Sequence, residues 1–258
     1  MKIIQLEIFI TFMMIFRLGS SQKPELPPGL QICYRNMPSD ERNECLKQSI
    51  SKVIPVIKKG FAPLNIASFD PLFVEKSDFD FNQGILRSTQ NLKNIIVKGL
   101  SGVQIKGVKS KANDKNILLE LDVLYPKLHV EAEFSGNSVL SELTVKSEGK
   151  IKMEADDVIS IYKILGKLNK TNNDDLIQIK GFELLNLDTK LLQIEATGLF
   201  PDPDVNAFAV QFINQEWKYL FQQLVPSVKK IWGPVCMEVA KNFFEQIPYS
   251  QLMPKKED

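Results

Sequence analysis

Residues 205–247 read VNAFAVQFINQEWKYLFQQLVPSVKKIWGPVCMEVAKNFFEQI, and the spacing of apolar side chains in this stretch decides the fold. Val205, Phe208, Ala209, Phe212, Ile213, Trp217, Leu220, Phe221, Leu224, Val228, Ile231, Trp232, Val235, Val239, Phe243 and Ile247 fall three and four residues apart along one stripe. That is the period of an amphipathic helix, held over about forty residues, or roughly 65 Å at 1.5 Å per residue. Pro226 and Gly233-Pro234 are expected to bend it, since each proline removes one intrahelical bond. Two helices in line would present the same stripe. A stripe of that length has to be covered, and the rest of the chain must supply the cover.

Upstream, between about residues 66 and 200, the period changes to two. Ile117, Leu119, Leu121, Val123 and Tyr125 alternate with Glu120 and Asp122. After Pro126, Leu128, Val130, Ala132 and Phe134 alternate with His129, Glu131 and Glu133. Shorter alternations occur at Val103/Ile105, Leu143/Val145, Ile151/Met153, Ile177/Ile179 and Leu192/Ile194/Ala196. One apolar and one polar face per strand predicts an antiparallel sheet with one side buried and one wet. The fold class is therefore α+β: a long C-terminal helix covered by a predominantly antiparallel sheet. A sheet curled along one helix leaves room at its ends and flanks that a lipophilic ligand could fill.

The N-terminal side is organised differently. Lys2 precedes the short apolar run Ile8–Phe16, and Gly19, Ser20 and Ser21 follow. Residues 1–21 are thus expected to be a secretory signal peptide, too short to span a bilayer, leaving 22–258 as a single domain. Pro24, Pro27 and Pro28 keep the next segment extended. A helix is expected from Pro38-Ser39-Asp40-Glu41 to Lys58-Lys59, with Gly60 beyond it and Pro55 as a kink. Export to an oxidising compartment makes a disulfide reasonable. Of the three cysteines, Cys33 and Cys45 are close in sequence and are expected to pair, with Cys236 left as a buried, unreactive thiol.

Charge and residue counts exclude whole classes of function. Lys and Arg number 32 against 31 Asp and Glu, and with Lys2, Arg17 and Glu7 in the leader the remainder is neutral. That removes the electrostatic footprint of a nucleic-acid partner, and no long uncharged segment provides stable membrane insertion. The single histidine, His129, sits on the polar face of its strand. No Gly-x-Ser-x-Gly elbow, phosphate-cradling glycine loop, zinc-spaced Cys/His set or EF-hand loop occurs, so no catalytic residue, cofactor or metal is expected. Asn172-Asn173-Asp174-Asp175 reads as a solvated turn, and Asp156-Asp157, adjacent on a strand, point apart. Asn169-Lys170-Thr171 is an N-glycosylation sequon placed in an expected turn.

Several segments together resemble the insect takeout and juvenile-hormone-binding protein family. They are Cys33 and Cys45, Ser68-Phe69-Asp70-Pro71-Leu72, Lys98-Gly99-Leu100-Ser101 after Asn94-Ile95-Ile96-Val97, Phe212-Ile213-Asn214-Gln215-Glu216-Trp217 with Leu220 and Leu224-Val225-Pro226, and the close Phe244–Pro254. The resemblance spans nearly the whole chain after the leader. It implies that the sheet is a highly curved antiparallel one that wraps the long helix, with an internal tunnel for hydrophobic ligands, secretion, and no catalytic residues. It also implies roles linked to hormone transport, feeding, circadian output and chemosensation. On that basis the tunnel wall is expected at Phe208, Phe212, Trp217, Leu220, Phe221, Leu224, Val228 and Trp232. The partner would be a small lipophilic molecule such as a terpenoid hormone or fatty acid, with an unidentified receptor left open. The alternative is a secreted signalling or chemosensory protein acting through its outer surface. Gly198–Asp204 matches the family's Leu-Phe-Asn-Gly-Asp pattern only in part, and no second disulfide is available.

Overall fold

The computed structural model describes residues 24–256 apart from 84–85, 141 and 171–174. The leader, Thr171 of the sequon, and residues 172–174 of the polar turn lie outside the described residues.

Two very long strands set the shape. β4 (Asn116–Leu140) and β5 (Leu143–Lys170) pair antiparallel from Asn116↔Lys167 to Leu140↔Leu143. Each takes different neighbours at its two ends. β3 (Gln104–Ala112) lies on the first half of β4, and β2 (Leu86–Lys98) on its second half. β7 (Leu191–Ala196) lies on the first half of β5, and β6 (Asp175–Asp188) on its second half. β1 (Leu72–Gln83) completes the order β1-β2-β4-β5-β6, antiparallel throughout and not closed between its end strands.

The sheet curls because its strands change face partway along. On β4 the buried series Ile117 to Tyr125 gives way at Pro126 to a second buried pair, Ala132 and Phe134. Asp157 lies beside this point on β5, at φ 49°, and Asn94 and Asn186 take φ of 51° and 50° at register irregularities of β2 and β6. Asn and Asp tolerate this left-handed backbone better than other non-glycine residues, and each such site bends and twists its strand.

Among the described residues, four α-helices accompany the sheet. α1 (Ser39–Ile57) contains Pro55 and packs on β3, burying Val53 and Ile57. Cys33 and Cys45 are joined, Cα to Cα 5.8 Å, which staples the extended lead-in to α1. Closing so short a loop stabilises by about 2–3 kcal/mol. α2 (Pro203–Gln215) and α3 (Trp217–Phe244) form the long C-terminal helix, and α4 (Tyr249–Leu252) follows. The stripe is carried by two helices in line, one of the two arrangements expected, with the break at Glu216 (φ −97°, ψ 18°). Pro226 and Pro234 are exposed, as are Gln222 and Lys230, whose carbonyls they leave without an intrahelical donor. Water can satisfy those carbonyls, so the helix continues through both prolines.

The start of α2, where the family pattern matched only in part, is well formed. Asp202 caps it by accepting from the N–H groups of Asp204 (2.9 Å) and Val205 (3.0 Å), with Pro203 in the first turn. Gly198 precedes it at φ 72°, where a Cβ would collide with the Glu148 carbonyl oxygen.

Candidate functional site

The side chains that join helix to sheet are aimed at the sheet's unpaired edges. Asn214 accepts from the Ile194 N–H (2.8 Å) and donates to its carbonyl (2.9 Å) on β7. One helical turn pair earlier, Asn206 bonds the Ala196 carbonyl and the Leu199 N–H. Glu245 accepts from Ile179 N–H on β6, and Ser227 donates to the Asp80 carbonyl on β1 at 2.7 Å. Helix α2–α3 thus spans the gap between strands that do not meet, and turns an open sheet into a tube. Free strand edges are sites of unwanted pairing, and here the edges are met at Ile194, Ala196, Ile179 and Asp80 from within the chain.

The enclosed face has two unlike halves. Towards β3, β6 and α1 it is packed solid: Ile117, Leu119, Val123, Ile177 and Ile179 are all buried, joined by Leu64, Ile247, Tyr249 and Met253. The last residues of the chain seal this end, where Arg35 donates to the Met253 carbonyl (2.8 Å) and lies 4.9 Å over the Tyr249 ring. Towards β1, β2 and β7 the same face carries Phe79, Phe81, Leu92, Val130, Val145, Ile151 and Met153, all only half-buried. Apolar side chains on an inner face without full packing partners are those a guest molecule could cover.

Between the halves stands a polar pin. Tyr125 and Tyr162 share a hydroxyl bond of 2.9 Å, and the Trp232 indole N–H donates to Tyr162 at 3.0 Å. Phe182 meets the Tyr162 ring edge-on at 5.3 Å. Burial raises both phenols, and it pushes the neighbouring Cys236 thiol up to about 12 against hydrogen bonds from Tyr162 and Trp232. The expected quiet cysteine is a half-buried thiol held against the pin.

Of the eight residues expected on the wall, Phe221 is buried in the core and Trp217 and Trp232 pack against it. Leu220, Leu224 and Val228 are half-buried on α3. Phe208 and Phe212 on α2 are 70% and 49% exposed. An open groove of about 680 Å³ runs along the seam of α2 and β7 beside Asn206, Val210 and Asn214, and none of the eight lines it. Sequence reasoning passed over Phe79 and Phe81, although Asp78-Phe79-Asp80-Phe81-Asn82 alternates, while Leu92 stands among polar residues with no alternation to mark it.

On the outer face the histidine sits in a cluster of ion pairs. His129 lies between Glu131 (2.7 Å) and Glu154 (3.6 Å), which also pair with Lys98 and Lys127. Hydrogen bonds from His129 and Lys98 hold the Glu131 carboxyl below its ordinary range. Asp156 faces Lys127 and Asp157 faces Lys190, so the adjacent acids do point apart. Asn169 is not in a turn: it is the penultimate residue of β5, paired with Leu176, and exposed. Among the described residues no cluster of His, Cys, Asp and Glu could hold a metal, and no helix is long and apolar enough to cross a membrane.

A tube built this way, half packed and half open, defines a class of curled-sheet proteins with an interior. The family model for haemolymph juvenile hormone binding protein matches residues 10–254. The chain belongs to that family. Among solved structures it is similar to Takeout 1 of Epiphyas postvittana, at 19% identity and a TM-score of 0.71, over 86% of this chain and 99% of that one. A slighter likeness, at 11% identity and a TM-score of 0.30, is to lipopolysaccharide binding protein, over 69% of this chain and 34% of that one. No curated protein matches the chain.

Proposed function

We propose that the protein is a secreted, non-enzymatic carrier that holds one small hydrophobic molecule between α2–α3 and the β1–β2–β7 half of the inner face. The observation that carries this reading is the contrast within single strands. At one end β4 and β5 bury Ile117, Leu119, Leu121, Val123, Val158 and Ile164; at the other Ala132, Phe134 and Ser147 are buried while Val130, Val145, Ile151 and Met153 stay only half-buried. Membership of a family described by hormone binding supports the same reading. The disulfide and the leader-like residues 1–21 support export, and exposed Asn169 would then carry a glycan. Phe208, Phe212, Trp217, Leu220, Phe221, Leu224, Val228 and Trp232 form the helical wall in this proposal.

A guest of about fifteen to twenty carbons buries several hundred Å², a gross gain of order 10 kcal/mol at about 25 cal/mol per Å². Association and ordering costs reduce this to micromolar or high-nanomolar affinity. The test is uptake of a fluorescent apolar probe by Phe212→Asn and Leu220→Asn, with Glu131→Gln on the outer face as control. Circular dichroism and the thermal midpoint first establish that each variant is folded. The wall variants are expected to bind at least tenfold more weakly, because a polar group then faces the guest unpaired. Wild-type affinity in both folded variants would remove the helix from the wall.

A further inference from the structure

The half-open end of the inner face contains one polar island. Gln90 on β2 is 9% exposed and Ser147 on β5 is 5% exposed, and Ser88 and Ser138 lie beside them on the same face. The Gln90 amide nitrogen donates to Ser88 Oγ (2.9 Å) and Ser147 Oγ (2.9 Å), with Ser138 Oγ at 3.4 Å. Ser147 Oγ donates back to Gln90 Oε1 at 3.2 Å, and Ser88 and Ser138 share a bond of 2.8 Å. Gly136 lies between them on β4, and a Cβ there would strike the Thr89 carbonyl oxygen first and then Gln90 Oε1, so both the close strand approach and the island need a glycine. Among the described residues, the inward side chains around it include Phe79, Phe81, Phe134 and Val145, none of them charged.

Counting hydrogens shows what the island lacks. Three hydroxyls and one amide supply five donor hydrogens. Two amide hydrogens go to Ser88 and Ser147, the Ser147 hydrogen goes to Gln90, and one hydrogen joins Ser88 to Ser138. The remaining Ser88 or Ser138 hydroxyl hydrogen has no acceptor within the island. Ser88 and Ser138 are half-buried, so that hydroxyl is open to whatever fills the interior, where the surrounding apolar side chains offer it no acceptor.

We propose that Ser88, Gln90, Ser138 and Ser147 anchor the polar end of the carried molecule through this spare hydroxyl. The chemistry it recognises is an uncharged oxygen acceptor, such as a ketone or ester carbonyl, on a lipophilic chain. A carboxylate is disfavoured, because the island holds no cation to offset the desolvation of a charge. The inference rests on the carrier reading and adds to it the orientation of the guest.

The experiment displaces a bound fluorescent naphthylamine probe with hexadecane and, separately, with 2-hexadecanone. Wild type is compared with Ser88→Ala/Ser138→Ala and with Gln90→Leu, which keeps the test available if one variant does not fold. The ketone is expected to lose roughly three- to tenfold in affinity in the variants, as one hydrogen bond is worth, while hexadecane is unchanged. Equal change for both molecules, or no change for either, means that the island only straps strands together and overturns the anchor. Failure of both molecules to displace the probe from a binding-competent wild type also overturns it. Failure of wild type to bind the probe at all overturns the carrier reading itself.

Discussion

Asn214 uses both halves of its amide on one residue, accepting from the Ile194 N–H and donating to the Ile194 carbonyl, as a neighbouring strand would. A side chain thereby stands in for the missing partner of β7. Leucine in its place keeps the volume and removes both bonds. Asn214→Leu is expected to lower stability by about 1–3 kcal/mol, since two backbone groups lose their partners in a half-buried seam. Urea unfolding checks this, and Asn214→Asp, which accepts but cannot donate, should fall below wild type as well.

Asp70 provides a second contact that joins distant segments. Its carboxylate accepts from the N–H groups of Gly99 (2.9 Å) and Ser101 (2.8 Å) and from the Ser101 hydroxyl. Burial alone would raise this carboxyl, but the bonds from Ser101 and Gly99 outweigh it and hold it below its ordinary range. A depressed folded pKa adds stability above the unfolded value, near 4, and that stability is lost as pH falls further. Asp70→Asn is therefore expected to be less stable than wild type at pH 7, with the gap narrowing below about pH 4. Thermal midpoints of both proteins across that range decide it, and a constant gap would contradict the assignment.

The two motifs that meet at Asp70 were visible in the sequence as separate pieces, Ser68–Leu72 and Lys98–Ser101, without any sign that one bonds the other. Legibility followed period and spacing. Ile117–Tyr125 and Leu128–Phe134 alternate with charged residues, so both runs were legible as strand; that they form one strand which changes face at Pro126 was not. The apolar stripe of α2–α3 and the Cys33–Cys45 pair were equally plain. The break at Glu216 was not, because nothing local marks it. The island of Ser88, Gln90, Ser138 and Ser147 was hidden for a different reason. Its bonds cross 50 and 57 residues of sequence, and only the strand register brings them together.

Cys236 gives a prediction about reactivity. Its thiol is pushed up to about 12 by burial beside Tyr162 and Trp232. The thiolate is the reacting form, so at pH 8 labelling by a bulky disulfide reagent should be more than about a hundredfold slower than for an exposed cysteine. Stopped-flow absorbance on the folded protein measures the rate, and denaturant should release it. Rapid labelling of the folded protein would mean that the pin opens to solvent.

The central claim is that the half-packed end of the tube holds one lipophilic molecule. The direct measurement is native mass spectrometry of the delipidated protein after incubation with a total lipid extract, followed by solvent extraction of the isolated complex. One guest per chain, of a few hundred daltons and recovered in the organic phase, is the result predicted. A spectrum showing only the bare chain after that exposure, with an empty organic phase, would contradict it.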